Sequence, residues 1–151
     1  MVGSMVTLAE AVEIGAPERY LCVVSTARAD GTLQSSVVNA GILPHPVTGE
    51  AVVGLVTYGR AKLANLRVRR QITVTFRSGG SWAAIEGHAE LIGPDDPYPG
   101  FDAERRRLLL REVFEAAGGT HDDWDTYDRV MRDERRTAVL VSPTRIYSNP
   151  Q

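Results

Sequence analysis

One stretch, residues 51–70 (AVVGLVTYGRAKLANLRVRR), constrains the fold more than any other part of the chain. It begins as a valine-rich apolar run over 51–58, breaks at Gly59 and resumes with helical periodicity. A run that is apolar on both faces predicts a central strand, followed here by a helix. Arg60 and Lys62 stand at the junction, where free backbone N–H groups and the positive end of the helix dipole favour an anion. We therefore expect a phosphate-binding site at this junction.

Charge also separates this stretch from the rest of the chain. The protein has 151 residues and a net charge of −2, and Lys62 is its only lysine. No acidic residue lies between Glu50 and Glu86, whereas six basic residues do. These are Arg60, Lys62, Arg67, Arg69, Arg70 and Arg77. A positive segment within an acidic chain argues against general nucleic-acid binding and favours a local anion site.

Length and composition predict one soluble globular domain over residues 1–151. The single cysteine, Cys22, lies in an apolar run and is expected to be an inert buried thiol in a reducing compartment. Glu10 and Glu13 argue against a signal peptide, and no apolar run approaches the roughly 18 residues of a membrane span. We expect a cytoplasmic protein without membrane insertion.

Local patterns predict six strands and four helices. Strands are expected at 20–26, 33–40, 51–58, 71–77, 82–92 and 137–142, and helices at 8–14, after Gly59, at 102–117 and at 122–134. Asp30-Gly31 predicts a hairpin turn, Gly87 indicates a bulge or a close backbone approach, and Pro143 is expected to break the last strand. Hairpins with one short helix between strands favour an antiparallel barrel over a parallel sheet.

Other candidate sites are weaker. His45, His88 and His121 lack metal-ligand spacing, so no zinc site is predicted, and each is interpreted as a surface or capping residue. The acidic residues after His121 complement the dipole of a helix. Three arginines at 105–107 are balanced by nearby glutamates and are interpreted as a solvated helix face.

Two further segments have the composition of a cofactor site. Residues 34–39 are rich in small polar groups, and Trp82 begins a strand directly after the basic segment. A planar heterocycle with a phosphate tail needs a cationic phosphate site, polar groups along the ring edge and an aromatic wall. An ordinary barrel with a basic helix face has the same composition, so these residues alone leave both interpretations open.

The order of the motifs SSVVN, VTYGRAK followed by NL, and WAAIEGHAEL resembles the flavin-binding split β-barrel superfamily of pyridoxamine 5′-phosphate oxidases. The later THDDWDTYDRVM and TRIYSNP are similar to the actinobacterial branch that uses the deazaflavin coenzyme F-420. The resemblance covers residues 8–150. It implies a mainly β (α+β) fold, namely a six-stranded antiparallel split β-barrel with peripheral helices, in a homodimer whose cofactor sites lie at the interface.

The resemblance also implies which residues bind the cofactor. Arg60 and Lys62 match the pair that binds the phosphate, residues 36–39 match the strand under the isoalloxazine ring, and Trp82 matches a side chain from the second subunit. Tyr58 is the candidate proton donor, and no residue is an assigned acid or base. The full set is Ser36, Val37, Val38, Asn39, Val56, Thr57, Tyr58, Arg60, Ala61, Lys62 and Trp82.

Departures from the oxidases decide the expected activity. The oxidases carry an arginine at about the place of Ser36 and a basic C-terminal segment, whereas this chain ends in SNPQ. The resemblance therefore favours an F-420-dependent oxidoreductase that passes a hydride to a small electrophilic acceptor, such as a quinone, a tetrapyrrole, a nitro compound or an enone. An FMN-binding oxidase-like protein and a non-catalytic carrier are the alternatives. Arg67, Arg69 and Arg70 either contact the acidic F-420 tail or are solvated charges.

Overall fold

Six antiparallel strands close into a barrel in the order β1-β2-β3-β6-β5-β4. The computed structural model describes residues 6–149; residues 1–5 and the Pro-Gln end at 150–151 lie outside the described residues. The strands are β1 (Leu21–Ala27), β2 (Leu33–Pro44), β3 (Ala51–Thr57), β4 (Gln71–Ser78), β5 (Ser81–Ile92) and β6 (Thr137–Ser148). The predicted six-stranded antiparallel barrel is confirmed.

Four α-helices pack around the barrel, as predicted. They are α1 (Leu8–Glu13), α2 (Arg60–Val68), α3 (Ala103–Ala116) and α4 (Trp124–Asp133). Thr7 and Glu10 form the expected capping box of α1, and the side chains of Asp102 and Asp123 cap α3 and α4. No helix within residues 6–149 is long and apolar enough to cross a membrane.

Two apolar clusters share the strand β3, which explains its unbroken hydrophobic sequence. Val53 and Leu55 belong to the cluster inside the barrel, whereas Val52 packs with Leu109 and Val113 of α3 on the outside. Full burial of a side chain of this kind stabilises the fold by about 1.5–3 kcal/mol. Because both faces of β3 are covered, its end at Thr57 is held firmly where the chain turns into α2.

Helix α3 lies directly on the backbone of β2. A Cβ atom on Gly41 would stand 2.0 Å from the carbonyl oxygen of Ala116, so no larger residue fits there. This close approach brings the last turn of α3 beside Gly41, close in β2 to Asn39 of the predicted site.

The predicted break at Pro143 is wrong, since β6 runs through it. Glu86 pairs with Arg145 and Gly87 with Pro143, so Thr144 is an extra residue on β6. A Cβ on Gly87 would stand 2.3 Å from the carbonyl oxygen of Ser142, which confirms the predicted close approach. The irregular pairing tolerates a residue that lacks a backbone N–H donor.

His45 has the capping role, one of the two alternatives predicted for it, and it is buried rather than on the surface. Its Nδ1 accepts the backbone N–H groups of Val47 and Thr48 at 3.1 and 3.2 Å, while Nε2 lies 2.8 Å from Oε1 of Glu90. Tyr98 donates its hydroxyl to the other oxygen of Glu90 at 2.9 Å. The imidazole can be buried because both ring nitrogens have partners, one of which, Glu90, comes from the distant strand β5.

Candidate functional site

The predicted strand-to-helix junction is present between Thr57 and Arg60. Gly59 is the N-cap of α2; it has no side chain to cap the helix, and its own N–H donates to Oγ1 of Thr57 at 3.1 Å. The first turn contains no acidic residue. Among residues 6–149, the backbone N–H groups of Arg60, Ala61 and Lys62 have no hydrogen-bond acceptor. The positive end of the α2 dipole is therefore uncompensated by the described residues.

Lys62 is buried at this junction, with only 3% of its surface exposed. Its Nζ donates to Oγ1 of Thr57 at 3.2 Å, and it forms no ion pair within the described part of the chain. Desolvation lowers the pKa of Lys62, which is the expected result of burying an ammonium group without a countercharge. An ammonium has three donors, so the group retains capacity for an anion.

Cys22 lies close enough to Lys62 for their charges to interact, yet it is not a reactive thiol. Its Sγ donates to the carbonyl oxygen of Val38 at 3.3 Å, and burial raises its pKa to about 12. A neutral thiol cannot serve as the missing countercharge of Lys62. The predicted inert buried cysteine is confirmed.

The other basic residues of the segment have structural partners. Arg67 forms two hydrogen bonds of 2.8 and 2.7 Å with the carboxylate of Asp96, which raises the pKa of the arginine. Arg69 donates to the carbonyl oxygen of Ala27 at 2.9 Å, and Arg70 to that of Ala89 at 3.5 Å. Arg60, in contrast, is exposed and forms no ion pair within residues 6–149. Within residues 51–70, Arg60 and Lys62 are thus the two basic residues whose side chains bind neither a carboxylate nor a backbone carbonyl. Arg77, on β4, is exposed and likewise forms no ion pair among the described residues.

A cleft of about 580 Å³ adjoins this junction and contains six of the predicted site residues. One wall is formed by residues of β2 and of the end of β3: Val37, Val38, Asn39, Val56, Thr57 and Tyr58. Arg136 lies at the same side, with its guanidinium carbon 4.1 Å above the ring of Tyr58. The cleft has the volume of a typical small-molecule site.

The opposite wall comes from α3, α4 and the turn between them, which sequence reasoning missed. It includes Phe114, His121, Tyr127, Val130 and Met131. The rings of Phe114 and Tyr127 lie 4.9 Å apart, and the Tyr127 hydroxyl donates to the carbonyl oxygen of Leu110 at 2.9 Å. Aromatic residues at helical spacing look alike in sequence whether they line a core or a cleft, so no local signal identified this wall.

Five predicted residues do not line the cleft. Arg60, Ala61 and Lys62 lie beyond it in the first turn of α2, and the other two are Ser36 and Trp82. Ser36 is partly buried on β2, and its Oγ has no hydrogen-bond partner in the part of the chain that the structure describes. Trp82 lies near the start of β5, at the far end of the strand from Ile92. Its ring packs edge-to-face against that of Tyr147, with 6.1 Å between the centroids. Within one chain, Trp82 therefore contributes nothing to the cleft lining.

No group of three or more His, Cys, Asp or Glu residues within 6–149 is arranged to hold a metal ion. His88 is exposed on β5, and the backbone N–H of Asp123 donates to Nδ1 of His121 at 3.0 Å. His121 thus helps to order the start of α4, as a capping residue should.

Solved structures with the same fold include proteins of the superfamily that the motifs resemble. A conserved hypothetical protein of Mycobacterium tuberculosis matches with a TM-score of 0.68 and 17% identity, over 99% of this chain and 88% of the other. An F-420 reductase matches with a TM-score of 0.59 and 16% identity, over 95% and 98%. A Clostridium acetobutylicum protein related to general stress protein 26, of the pyridoxinephosphate oxidase family, matches with a TM-score of 0.59 and 13% identity, over 94% and 87%.

No protein-family model matches the chain. At these identities the similarity concerns the arrangement of strands and helices. The chain has the fold of the flavin-binding split β-barrel proteins, as its motifs predicted.

Proposed function

We propose that this protein binds F-420 and passes a hydride from the reduced cofactor to a small electrophilic acceptor. The observation that carries this proposal is the uncompensated positive charge at the start of α2, beside a cleft of suitable size. Arg60, Lys62 and the free N–H groups of the first helical turn would hold the cofactor phosphate. Proteins of this fold include an F-420 reductase, which supports the choice of cofactor class.

The residues around the junction fit a flavin-type group. Residues 37–39 of β2 line the cleft and would run along the polar edge of a ring, while the unpartnered Oγ of Ser36 is buried next to them in the same strand. Val56, Thr57 and Tyr58 would contact the ring and its chain. Bound reduced F-420 supplies the hydride; the protein supplies binding, orientation and exclusion of water.

We propose further that the site is completed by a second copy of the chain. The outer surface of β1 and β2 exposes Leu21, Val23, Leu33 and Val37, with 36–65% of each residue accessible. Val37 also lines the cleft, so an interface on this surface would border the cofactor. A homodimer would allow Trp82 of one subunit to wall the site of the other. A monomer by sedimentation at micromolar concentration would contradict this model.

FMN binding is the second candidate, and one observation favours it. The acidic tail of F-420 needs a basic surface beyond the phosphate, but Arg67 is already neutralised by Asp96. The FMN phosphate would need only Arg60, Lys62 and the helix terminus.

A single buried cysteine is compatible with a reducing, cytoplasmic setting for either cofactor.

Titration with each cofactor tests the proposal. Tryptophan fluorescence is followed while F-420 or FMN is added, and oxidation of reduced F-420 is then measured with quinone, nitro, enone and tetrapyrrole acceptors. Tight F-420 binding with turnover is the expected result. Tight FMN binding without F-420 binding would replace the proposal by the second candidate, and F-420 binding without any turnover would indicate a carrier.

A further inference from the structure

We propose that the Nε2–H group of His121 donates a hydrogen bond to an oxygen of the acceptor in the cleft. This inference rests on the proposed reductase function and narrows its substrate class. The acceptor would carry an oxygen conjugated to the carbon that receives the hydride. Quinones and enones meet this description.

The ring of His121 is fixed in the helical wall of the cleft. Its centroid lies 5.7 Å from that of Tyr127, 5.9 Å from that of Trp124 and 6.4 Å from that of Phe114. Its side chain is 30% exposed, so it remains accessible to a ligand. Contacts on several sides hold the imidazole in one orientation before an acceptor arrives, which is the condition for effective electrostatic stabilisation.

A backbone hydrogen bond determines which nitrogen is the donor. The N–H of Asp123 points at Nδ1, which must accept and therefore carries no hydrogen. Nδ1 can accept only in the neutral ring, and in that tautomer the hydrogen lies on Nε2. Nε2 has no hydrogen-bond partner among residues 6–149.

Most other polar side chains of the cleft already have partners. The Thr126 hydroxyl donates to Asp123 at 2.6 Å, the Asn39 amide donates to the carbonyl oxygen of Arg19 at 2.8 Å, and Arg136 donates to Glu134 at 2.9 Å. The Tyr127 hydroxyl bonds to a backbone carbonyl, and burial raises its pKa to about 12.

The Thr57 hydroxyl accepts from Gly59 and Lys62 and its residue is only 4% exposed, so the hydroxyl to compare with His121 is that of Tyr58. Tyr58 is 55% exposed at the rim, and a guanidinium covers its ring. His121 is the better-fixed donor, because its ring is held among three aromatic side chains and its tautomer is set by the backbone. The structure thus favours His121 over the residue that the sequence indicated.

The reduction needs one hydride and one proton, and water supplies the proton. A hydride adds to the electrophilic atom of the acceptor, the π electron pair moves to the conjugated oxygen, and negative charge develops there. The hydrogen bond from Nε2 stabilises this charge while the ring keeps its own proton. Water then protonates the oxygen to complete a two-electron reduction.

Two substitutions distinguish the effect of the N–H donor from the effect of side-chain shape. His121→Phe keeps an aromatic ring without an N–H group, and His121→Gln keeps an N–H donor. With menadione as acceptor, we expect His121→Phe to lower kcat by about 100-fold, since loss of one such donor typically costs 10²–10³. His121→Gln should retain most of the activity, with unchanged cofactor affinity in both. His88→Phe, on the exposed side of β5, is the matched control and should behave like the wild type.

An NMR measurement reads the same group without turnover. Long-range ¹H–¹⁵N spectra of the cofactor-free protein should show the Nε2–H tautomer of His121, and menadione should shift its Nε2 resonance. An Nδ1–H tautomer, an unshifted resonance, or a greater loss of kcat in Tyr58→Phe than in His121→Phe would overturn the assignment. If the wild type neither binds nor oxidises reduced F-420, the proposed function fails, whereas the tautomer and the menadione shift still report on His121.

Discussion

Two basic regions of this chain differ in how their charge is compensated. On α3 and α4, Arg107 and Arg111 both bind the carboxylate of Asp128, which is only 11% exposed. At the start of α2, Lys62 has a hydroxyl partner alone and Arg60 forms no ion pair within residues 6–149. The first region holds two helices together, whereas the second has unused capacity for an anion. Basic residues indicate a binding site only where the fold supplies no countercharge.

Removing the ammonium at the uncompensated region should give the largest change. Lys62→Met is expected to weaken cofactor binding by about ten- to a hundred-fold, because a charge-assisted hydrogen bond contributes about 1.5–3 kcal/mol. Unfolding free energy should not decrease, since an apolar chain of similar length replaces a poorly partnered buried cation. Fluorescence titration and urea unfolding measure the two quantities.

Either of two results would contradict the prediction for Lys62→Met. An unchanged dissociation constant would remove Lys62 from the site. A clear loss of stability would mean that the bond between Lys62 and Thr57 is a structural contact.

In the region of α3 and α4, where the arginines are paired with Asp128, a substitution should change stability and leave cofactor binding unchanged. Asp128→Asn is expected to lower the unfolding free energy by about 1–2 kcal/mol, reduced from the usual value for charged hydrogen bonds because solvent reaches the arginines. Cofactor affinity should stay unchanged. Asp133→Asn is the control, since Asp133 is 69% exposed and lies 4.0 Å from Arg132. Equal stability of the two variants would show that the link between α3 and α4 contributes nothing.

The two regions should also have opposite pH dependence. Hydrogen bonds from Arg111 and Arg107 lower the pKa of Asp128 below 3.8, so its stabilising contribution is present above that value and is lost as pH falls through the folded-state pKa. Burial lowers the pKa of Lys62 below 10.5, so the folded state loses this proton first and its destabilising contribution fades as pH rises toward 10.5.

Urea unfolding across pH checks both signs. The stability difference between the wild type and Asp128→Asn should shrink in acid, and the difference between Lys62→Met and the wild type should shrink in alkali. A constant difference in either case would mean that the group has the same pKa in the folded and unfolded chain.

The barrel could be predicted from sequence because its signals are local. Alternation in β4, the apolar run of β3 and the Asp30-Gly31 turn each lie within a few residues, and all are found as expected. The course of β6 could not be predicted, because Pro143 is accommodated by the bulge that Thr144 forms opposite β5. A pairing partner more than fifty positions away decided that strand.

The residues of the site also divide into those that local sequence signals predicted and those that depend on distant packing. Arg60, Lys62 and the β2 and β3 residues follow from one junction and from motif order, so the sequence revealed them. The helical wall with Phe114 and His121 depends on how α3 packs against Gly41, which no local pattern encodes. The pairing of Arg67 with Asp96 could not be predicted for a similar reason, since Asp96 lies in the loop after β5, far from α2 in the sequence.

The smallest expected effect distinguishes two arginines of that one basic segment. Arg60→Gln and Arg67→Gln remove the same charge from the same helix, so the change in long-range field is matched. Arg60→Gln should weaken cofactor binding by about two- to five-fold, because an exposed ion pair contributes on the order of 0.2–1 kcal/mol. Arg67→Gln should leave affinity unchanged, since its guanidinium is already occupied by Asp96. The Arg60 effect should fade at high salt. If Arg67→Gln weakens F-420 binding but not FMN binding, Arg67 exchanges Asp96 for the acidic tail of the cofactor.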